Sequence, residues 1–152
     1  MIVLLVILDQ LSKYFAFQYR PNFDVLGDFF RIYYLENTGT IFGLLKNSNF
    51  VFMVLAIILC FIIAIYMKLK VPKRSFKEKC FMLILTGGIG NLIDRIFRGF
   101  VVDFISLKYV GVFNFADMYI VIGVILLVIF ELREILKDGE TSKKSNFNTW
   151  WI

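Results

Sequence analysis

Four apolar segments follow one another along the chain, separated by polar stretches. The second, FVFMVLAIILCFIIAIYM at residues 50–67, carries no charge and is long enough to cross a bilayer core of about 30 Å. Each of the other three contains at least one charged side chain. The pattern predicts four membrane-spanning helices, at about residues 2–18, 50–67, 80–97 and 113–136, with a tail at 137–152.

A different pattern occupies the connection between the first two segments. Residues 23–45, FDVLGDFFRIYYLENTGTIFGLL, combine alternating apolar and polar positions with aromatic residues and glycines. This pattern favours short strands or an aromatic platform at the membrane interface, and a plain surface loop is the alternative. The predicted fold is an all-α membrane protein: one domain, residues 1–152, of four transmembrane helices with a small β-like platform between helices 1 and 2.

The basic residues predict which polar segments face the cytoplasm. KLKVPKRSFKEK at residues 68–79 holds six basic residues against one acid, and the tail adds three lysines. Because two spans separate these regions, they lie on the same side, which the positive-inside rule makes cytoplasmic. Both termini are then cytoplasmic, while the connections at 18–49 and 98–112, with the platform, are extracytoplasmic.

Composition excludes several classes of partner and of catalytic site. The chain is 59% hydrophobic, and its net charge of +5 comes from residues beside apolar spans, so membrane lipid is an expected partner and nucleic acid is not. The absence of histidine excludes histidine-based triads and histidine-ligated metal proteases. The two cysteines, Cys60 and Cys80, lie in or beside apolar runs and favour neither a disulfide framework nor paired metal ligands. No cofactor or metal is predicted.

The unusual polar residues gather toward one face of the predicted bundle. The outer ends of spans 1, 3 and 4 and the outer loop before span 4 carry Asp9, Lys13, Asn91, Asp94, Arg95, Asp103, Asn114 and Asp117. Ionisable groups inside a membrane are costly and mark functional sites by default. The sequence therefore predicts a polar site at the extracytoplasmic face.

Some of these residues also have purely structural interpretations. Asp9 and Lys13 are four residues apart on one helix face, which favours a structural ion pair. We interpret Asp94 as part of a polar clamp between helices that holds Arg95, rather than as a group that reacts. The glycines of GGIG at residues 87–90 are interpreted as positions of close helix packing.

Two acids remain, and their surroundings differ. Asn114 and Asp117 fit an N-cap followed by an acid in the first helical turn. Asp103 has apolar neighbours on the loop before span 4, where a turn near residues 108–111 can bring it back toward Asp117. Two adjacent carboxylates share one proton, so one can take a proton from water while the other donates to a carbonyl oxygen or leaving amine. This is the chemistry of an aspartyl hydrolase.

Five motifs resemble those of the lipoprotein signal peptidases, also called signal peptidase II. They occur in the family's order and cover nearly the whole chain: DQLSK (9–13), NTGTIFG (37–43), GGIGNLIDR (87–95), VVDF (101–104) and FNFAD (113–117). The resemblance implies a membrane aspartyl endopeptidase of the bacterial cytoplasmic membrane. Its substrates would be prolipoproteins, cut just before the cysteine that carries diacylglycerol. Globomycin-type peptide antibiotics would be expected to bind between the two acids.

Residue roles follow from the same resemblance. Asp103 and Asp117 would be catalytic. The residues that would shape the site, support it or contact the substrate backbone are Asp9, Lys13, Asn37, Gly39, Asn91, Asp94, Arg95 and Asn114. We expect a monomer. Two departures stand out: only eight residues precede Asp9, about 12 Å of helix, and Thr40 occupies a position where the family usually has alanine.

Three alternatives compete with a peptidase of this type. Buried acids also mark ion paths, as in a small transporter or proton-coupled channel, although here the acids cluster on one side. A Ser–Lys peptidase would use Ser12 and Lys13, but adjacent helical residues point about 100° apart. The third alternative is a non-catalytic membrane assembly factor, with SNFNTWWI at the C-terminus as an anchor.

Overall fold

A computed structural model describes residues 2–39 and 48–148, with side chains as far as Lys137. These residues form four α-helices: α1 (Ile2–Tyr19), α2 (Asn49–Lys70), α3 (Phe76–Phe97) and α4 (Phe115–Asn148). All four are long and apolar enough to cross a membrane, which confirms the four predicted helices. Most of the predicted tail continues α4 as helix, and residues 149–152 lie outside the described part of the chain.

The described residues also form a four-stranded antiparallel sheet, in the order β1-β2-β3-β4. The strands β1 (Asn22–Leu26) and β2 (Phe30–Asn37) lie between α1 and α2, where the platform was predicted. The strands β3 (Val101–Leu107) and β4 (Gly111–Phe113) lie between α3 and α4. Placing Asp103 on a loop was therefore wrong, because it is the third residue of β3.

The strand β3 has no period of two that a sequence pattern could show. Its first four residues, 101–104, are all buried although one of them is Asp103, so buried positions run consecutively instead of alternating, and so short a segment is ambiguous from its pattern alone. Its partner is β2, where Leu35 lies opposite Asp103. The strand is therefore specified by a segment more than sixty residues earlier in the chain.

A tight turn joins α3 to β3. The backbone N–H of Arg98 donates to the carbonyl oxygen of Asp94 at 2.8 Å, which completes the last turn of the helix. Gly99 follows with φ +81°, a conformation that glycine adopts without the strain other residues would incur. The chain reverses within three residues, so the start of β3 lies beside the end of α3.

Glycines let α3 approach its neighbours closely. A Cβ at Gly87 would collide with the carbonyl oxygen of Ala116 on α4, and one at Gly90 would lie 2.6 Å from a carboxylate oxygen of Asp9 on α1. Gly88 makes a similarly close approach to α2. These contacts confirm the interpretation of GGIG as a helix-packing motif, with α3 in contact with each of the other helices.

The bundle is apolar on its outside and polar in its interior at one end. No residue of α2 is buried, whereas Asp9, Lys13, Asp94 and Asp103 are among the most buried side chains described. This distribution is the reverse of that in a water-soluble domain and fits a bundle surrounded by lipid. The polar interior lies where α3 meets the sheet, at the end opposite the α2–α3 connection.

Candidate active site

Asp103 and Asp117 meet at a single asparagine. Asn114 donates from its side-chain Nδ2 to Asp103 Oδ1 at 2.6 Å and from its backbone nitrogen to Asp117 Oδ2 at 3.2 Å. Its side-chain oxygen accepts the backbone N–H of Asp117 at 3.1 Å. Asn114 therefore is the predicted N-cap of α4, in the reciprocal arrangement of a capping box, and it also contacts the second acid.

Each carboxylate receives one further amide donor. Asn91 Nδ2 lies 2.7 Å from Asp117 Oδ1, and Asn37 Nδ2 lies 2.8 Å from Asp103 Oδ2. The backbone N–H of Gly39 donates to Asn37 Oδ1 at 3.0 Å, so the amide group of Asn37 faces the acid. Both oxygens of both acids thus accept a hydrogen bond.

Burial changes the acidity of Asp103. The residue is 1% exposed, and this desolvation raises the pKa of its carboxyl from 3.8 to about 6. The hydrogen bond from Asn37 opposes the increase, the negative charge of Asp117 adds to it, and the hydrogen bond from Asn114 opposes it again. Desolvation dominates because a buried carboxylate loses the water that stabilises its charge.

Lys13, Asp9 and Asp94 form a second buried cluster next to the paired acids. The Lys13 ammonium lies 2.9 Å from Asp9 Oδ2 and 3.2 Å from Asp94 Oδ2, and all three side chains are almost completely buried. It also donates to Asn91 Oδ1 at 2.9 Å. The predicted Asp9–Lys13 ion pair is therefore confirmed, and Asp94 is a second partner of the same ammonium.

The two acids of this cluster also bind backbone. Asp9 Oδ1 accepts the N–H of Ala116 at 2.9 Å, and Asp94 Oδ2 accepts the N–H of Val102 at 3.1 Å. Ala116 immediately precedes Asp117, and Val102 immediately precedes Asp103. The cluster therefore holds the chain next to each of the paired acids.

The expectation that Asp94 holds Arg95 was wrong. The cationic partners of Asp94 are Lys13 and Arg98, which follows it by one helical turn. Arg95 instead lies with its guanidinium carbon 5.9 Å from the centre of the Phe52 ring, and one of its nitrogens is 3.4 Å from the carbonyl oxygen of Asn91. Arg95 is adjacent to Asp94 on the helix and points in a different direction. Arg98 follows Asp94 by four residues and therefore lies on the same helix face.

Sequence reasoning missed Gln10 and Arg98. Gln10 Nε2 donates to the carbonyl oxygen of Gly90 at 3.0 Å and lies 3.2 Å from an oxygen of Asp9 and of Asp94. Arg98 donates to Gln10 Oε1 at 3.2 Å as well as pairing with Asp94. The four-residue spacing of Asp94 and Arg98 was a signal for this pair, whereas nothing in the local pattern indicated Gln10.

Two apolar grooves open beside the paired acids. A groove of about 440 Å³ includes Asn91, Arg95 and Phe52 in its walls. A second groove, of about 380 Å³, lies beside Asp117 and Met118 at the start of α4. The polar residues in their walls are Asn91 and Arg95 in the first groove and Asp117 in the second.

A family model described as signal peptidase (SPase) II matches residues 1–133. The chain belongs to the signal peptidase II family. The lipoprotein signal peptidase of Caldanaerobacter subterraneus subsp. tengcongensis is 42% identical over 130 residues, 83% of this chain and 89% of that protein. The lipoprotein signal peptidase of Moorella thermoacetica is 42% identical over 128 residues, 82% of this chain and 85% of that protein.

Solved structures agree with the sequence relatives. A bacterial membrane enzyme determined by the in meso method at 2.3 Å resolution has a TM-score of 0.78 and 31% identity, and the match covers 88% of this chain and 86% of that one. Membership of the signal peptidase II family makes the protein a multi-pass bacterial membrane protease that removes signal peptides from prolipoproteins. The motif resemblance and the predicted enzyme class are thereby confirmed. Thr40, noted above as a departure from the family pattern, lies outside the described residues.

Proposed function

We propose that Asp103 and Asp117 are the catalytic pair of signal-peptide cleavage. The observation that carries the proposal is the contact of Asn114 with both acids, at 2.6 Å from its side chain and 3.2 Å from its backbone. One residue thereby brings together carboxylates from a strand and from a helix. Two carboxylates beside each other act as a general acid and a general base on one water molecule.

In the reactive form the shared proton is on Asp103, the acid whose pKa burial raises to about 6. Asp117 lies in the first turn of α4 and is the proposed general base. Asp117 takes a proton from water as the water oxygen attacks the scissile carbonyl carbon, and Asp103 gives its proton to the carbonyl oxygen. In the second step the carbon–nitrogen bond breaks, Asp117 protonates the leaving amine, and Asp103 recovers a proton from the tetrahedral intermediate.

The substrate enters through the apolar grooves. The groove of about 440 Å³ has Arg95 and Asn91 in its wall, and these side chains supply N–H donors for carbonyl oxygens of the substrate backbone. A signal peptide is apolar and a diacylglyceryl cysteine carries two acyl chains, so both match grooves with apolar walls. The scissile bond is the one just before the lipid-modified cysteine.

The site works at the extracytoplasmic interface of the bacterial cytoplasmic membrane. The basic segment 68–79 lies at the opposite end of the bundle from the paired acids, and the positive-inside rule assigns the basic end to the cytoplasm. Both termini are then cytoplasmic. The enzyme acts as a monomer, and globomycin-type peptides bind between the two carboxylates.

The test is direct. Purified protein is incubated with a diacylglyceryl prolipoprotein in detergent, and both products are identified by mass spectrometry. We expect a free signal peptide and a mature chain that begins with the lipid-modified cysteine, with product formation about 10²–10⁴-fold slower in the Asp103→Asn protein. Cleavage at another bond, or equal cleavage by Asp103→Asn, would contradict the proposal.

A further inference from the structure

One ammonium group connects the supports of both paired acids. Lys13 Nζ has three N–H donors, and its three acceptors are Asp9 Oδ2 at 2.9 Å, Asn91 Oδ1 at 2.9 Å and Asp94 Oδ2 at 3.2 Å. The lysine side chain is completely buried. Because all three donors have partners and no water reaches the group, its position is fixed by these three side chains.

Two of these partners reach the backbone beside the reacting acids. Asp9 holds the N–H of Ala116 at 2.9 Å, and Asp94 holds the N–H of Val102 at 3.1 Å. Each of these backbone groups belongs to the residue just before a proposed catalytic acid. The ammonium, by attracting both carboxylates, couples the start of α4 to the start of β3.

The third partner of Lys13 is Asn91, whose side-chain amide donates to Asp117. Asn91 Oδ1 accepts from both Lys13 and Asn114 Nδ2, at 2.9 and 3.2 Å, so Asn91 Nδ2 is left to donate to Asp117 Oδ1 at 2.7 Å. If the amide turned over, its NH₂ group would face the ammonium and its oxygen would face a carboxylate. Lys13 therefore selects the orientation in which Asn91 donates to Asp117.

We propose that Lys13 is a positioning residue for proteolysis, which holds Asp103 and Asp117 at a fixed separation through Asp94 and Asp9 and keeps the Asn91 amide directed at Asp117. Lys13 itself touches neither acid of the pair among its hydrogen bonds and ion pairs. The inference rests on the proposed function of the two acids. It goes further in giving the ion pair a role in turnover, besides its role in holding α1 against α3.

The experiment keeps the buried charges balanced. Asp9, Lys13, Asp94 and Arg98 carry two negative and two positive charges, and the double substitution Asp9→Asn with Lys13→Met removes one of each. An asparagine at position 9 still offers an oxygen to the N–H of Ala116. The reference is the Asp9→Asn protein, because it differs from the double variant only at the lysine.

The double variant should fold, with a kcat at least about 30-fold below that of Asp9→Asn and a KM within about 3-fold of it, since a positioning group acts on the chemical step. A second variant, Asp9→Asn with Lys13→Gln, retains an amide donor and should have an intermediate kcat. If the methionine variant does not fold, this glutamine variant is compared with Asp9→Asn in its place. A kcat equal to that of Asp9→Asn in either folded variant would overturn the proposal.

Coupling to Asn91 gives an independent measurement. In a protein that already carries Asp9→Asn and Asn91→Leu, the change from Lys13 to methionine should lower kcat by clearly less than 30-fold, because the part of the effect that passes through Asn91 is already lost. A second full 30-fold loss would overturn the role assigned to Asn91. Lys77→Met is the matched control: this lysine pairs with Glu131 at 2.5 Å, away from the site, and its loss should leave kcat unchanged.

Turnover of the Asp103→Asn protein distinguishes failure of the positioning role from failure of the proposed function. An inactive Asp103→Asn protein together with a fully active Lys13 variant would remove the positioning role and leave the proposed function intact. An active Asp103→Asn protein would remove the proposed function itself.

Discussion

Asn37 Nδ2 lies 2.8 Å from Asp103 Oδ2, although 66 positions separate the two residues in the chain. The contact joins the last residue of β2 to β3, and the N–H of Gly39 fixes the amide by donating to Asn37 Oδ1. The environment of Asp103 therefore depends on the hairpin that follows α1. The sheet is part of the site and not only a platform above it.

Asp103→Asn and Asp117→Asn should each lower kcat by about 10²–10⁴-fold, the usual contribution of general acid–base catalysis. The double variant should be no slower than the slower single variant, because the two acids act as a unit. Turnover is measured in detergent on protein whose thermal unfolding matches that of the wild type. Near-normal turnover in either single variant would rule out the pair and make Asp94 the next candidate.

Asp94→Asn should lose stability together with activity. Asp94 is completely buried and pairs with both Lys13 and Arg98, and disrupting a buried ion pair costs about 3–5 kcal/mol. The measurement is the unfolding temperature in one detergent, beside turnover. Asp28→Asn is the control, since this side chain is 84% exposed and lies 3.9 Å from Lys108. An Asp94→Asn protein as stable as the Asp28→Asn protein would contradict the expected structural role.

The stability of the protein should depend on pH through Asp103. Burial raises the pKa of this carboxyl from 3.8 to about 6, so the folded protein binds the proton more tightly than the unfolded one. The resulting stabilisation is complete below pH 3.8 and is lost as the pH rises through 6. Relative to Asp103→Asn, the wild type should lose roughly 2 kcal/mol between pH 4 and pH 7. Unfolding of both proteins across this range tests the prediction, and parallel curves would refute it.

A soluble peptide without diacylglycerol should be a poor substrate. The lipid keeps the scissile bond at the depth of the site, and such anchoring raises effective concentration enough to change apparent affinity by about 10²–10⁴-fold. The aromatic residues Phe29, Phe30 and Tyr33, of which Phe29 and Tyr33 are exposed, would hold the peptide above the acids. Phe42, which was expected to join them, lies outside the described residues. Lipidated and unlipidated peptides are compared at equal concentration. Equal turnover would exclude this role for the lipid.

Asn22 and Ser75 should face opposite sides of the membrane. Asn22 begins β1, and Ser75 caps α3 at the other end of the bundle, where its hydroxyl accepts the N–H of Glu78 at 3.0 Å. Cysteines introduced singly at these positions, in protein with Cys60 and Cys80 replaced by alanine, are treated with an impermeant thiol reagent in intact cells. We expect labelling at position 22 only. Labelling of both from outside would contradict the four-span topology.

The helical framework and the class of enzyme could be predicted from the sequence alone. A helix forms its hydrogen bonds within one segment, so four apolar runs were enough to predict four spans. Asp103 and Asp117 could also be selected from the chain, because acids beside apolar runs are costly and the motifs around them match one family. Asp9 and Lys13 were readable as a pair because a four-residue spacing places side chains on one helix face.

How these residues meet depends on the packing of helices and strands from distant parts of the chain. β3 pairs with a strand from the connection between α1 and α2, and no local pattern encodes a partner so far away. The pairing of Asp94 with Lys13 on α1 depended on which face of α3 turns toward α1. The link from Lys13 through Asn91 to Asp117 joins three helices. Such hydrogen bonds exist only after the helices have packed, because each donor and acceptor belongs to a different segment of the chain.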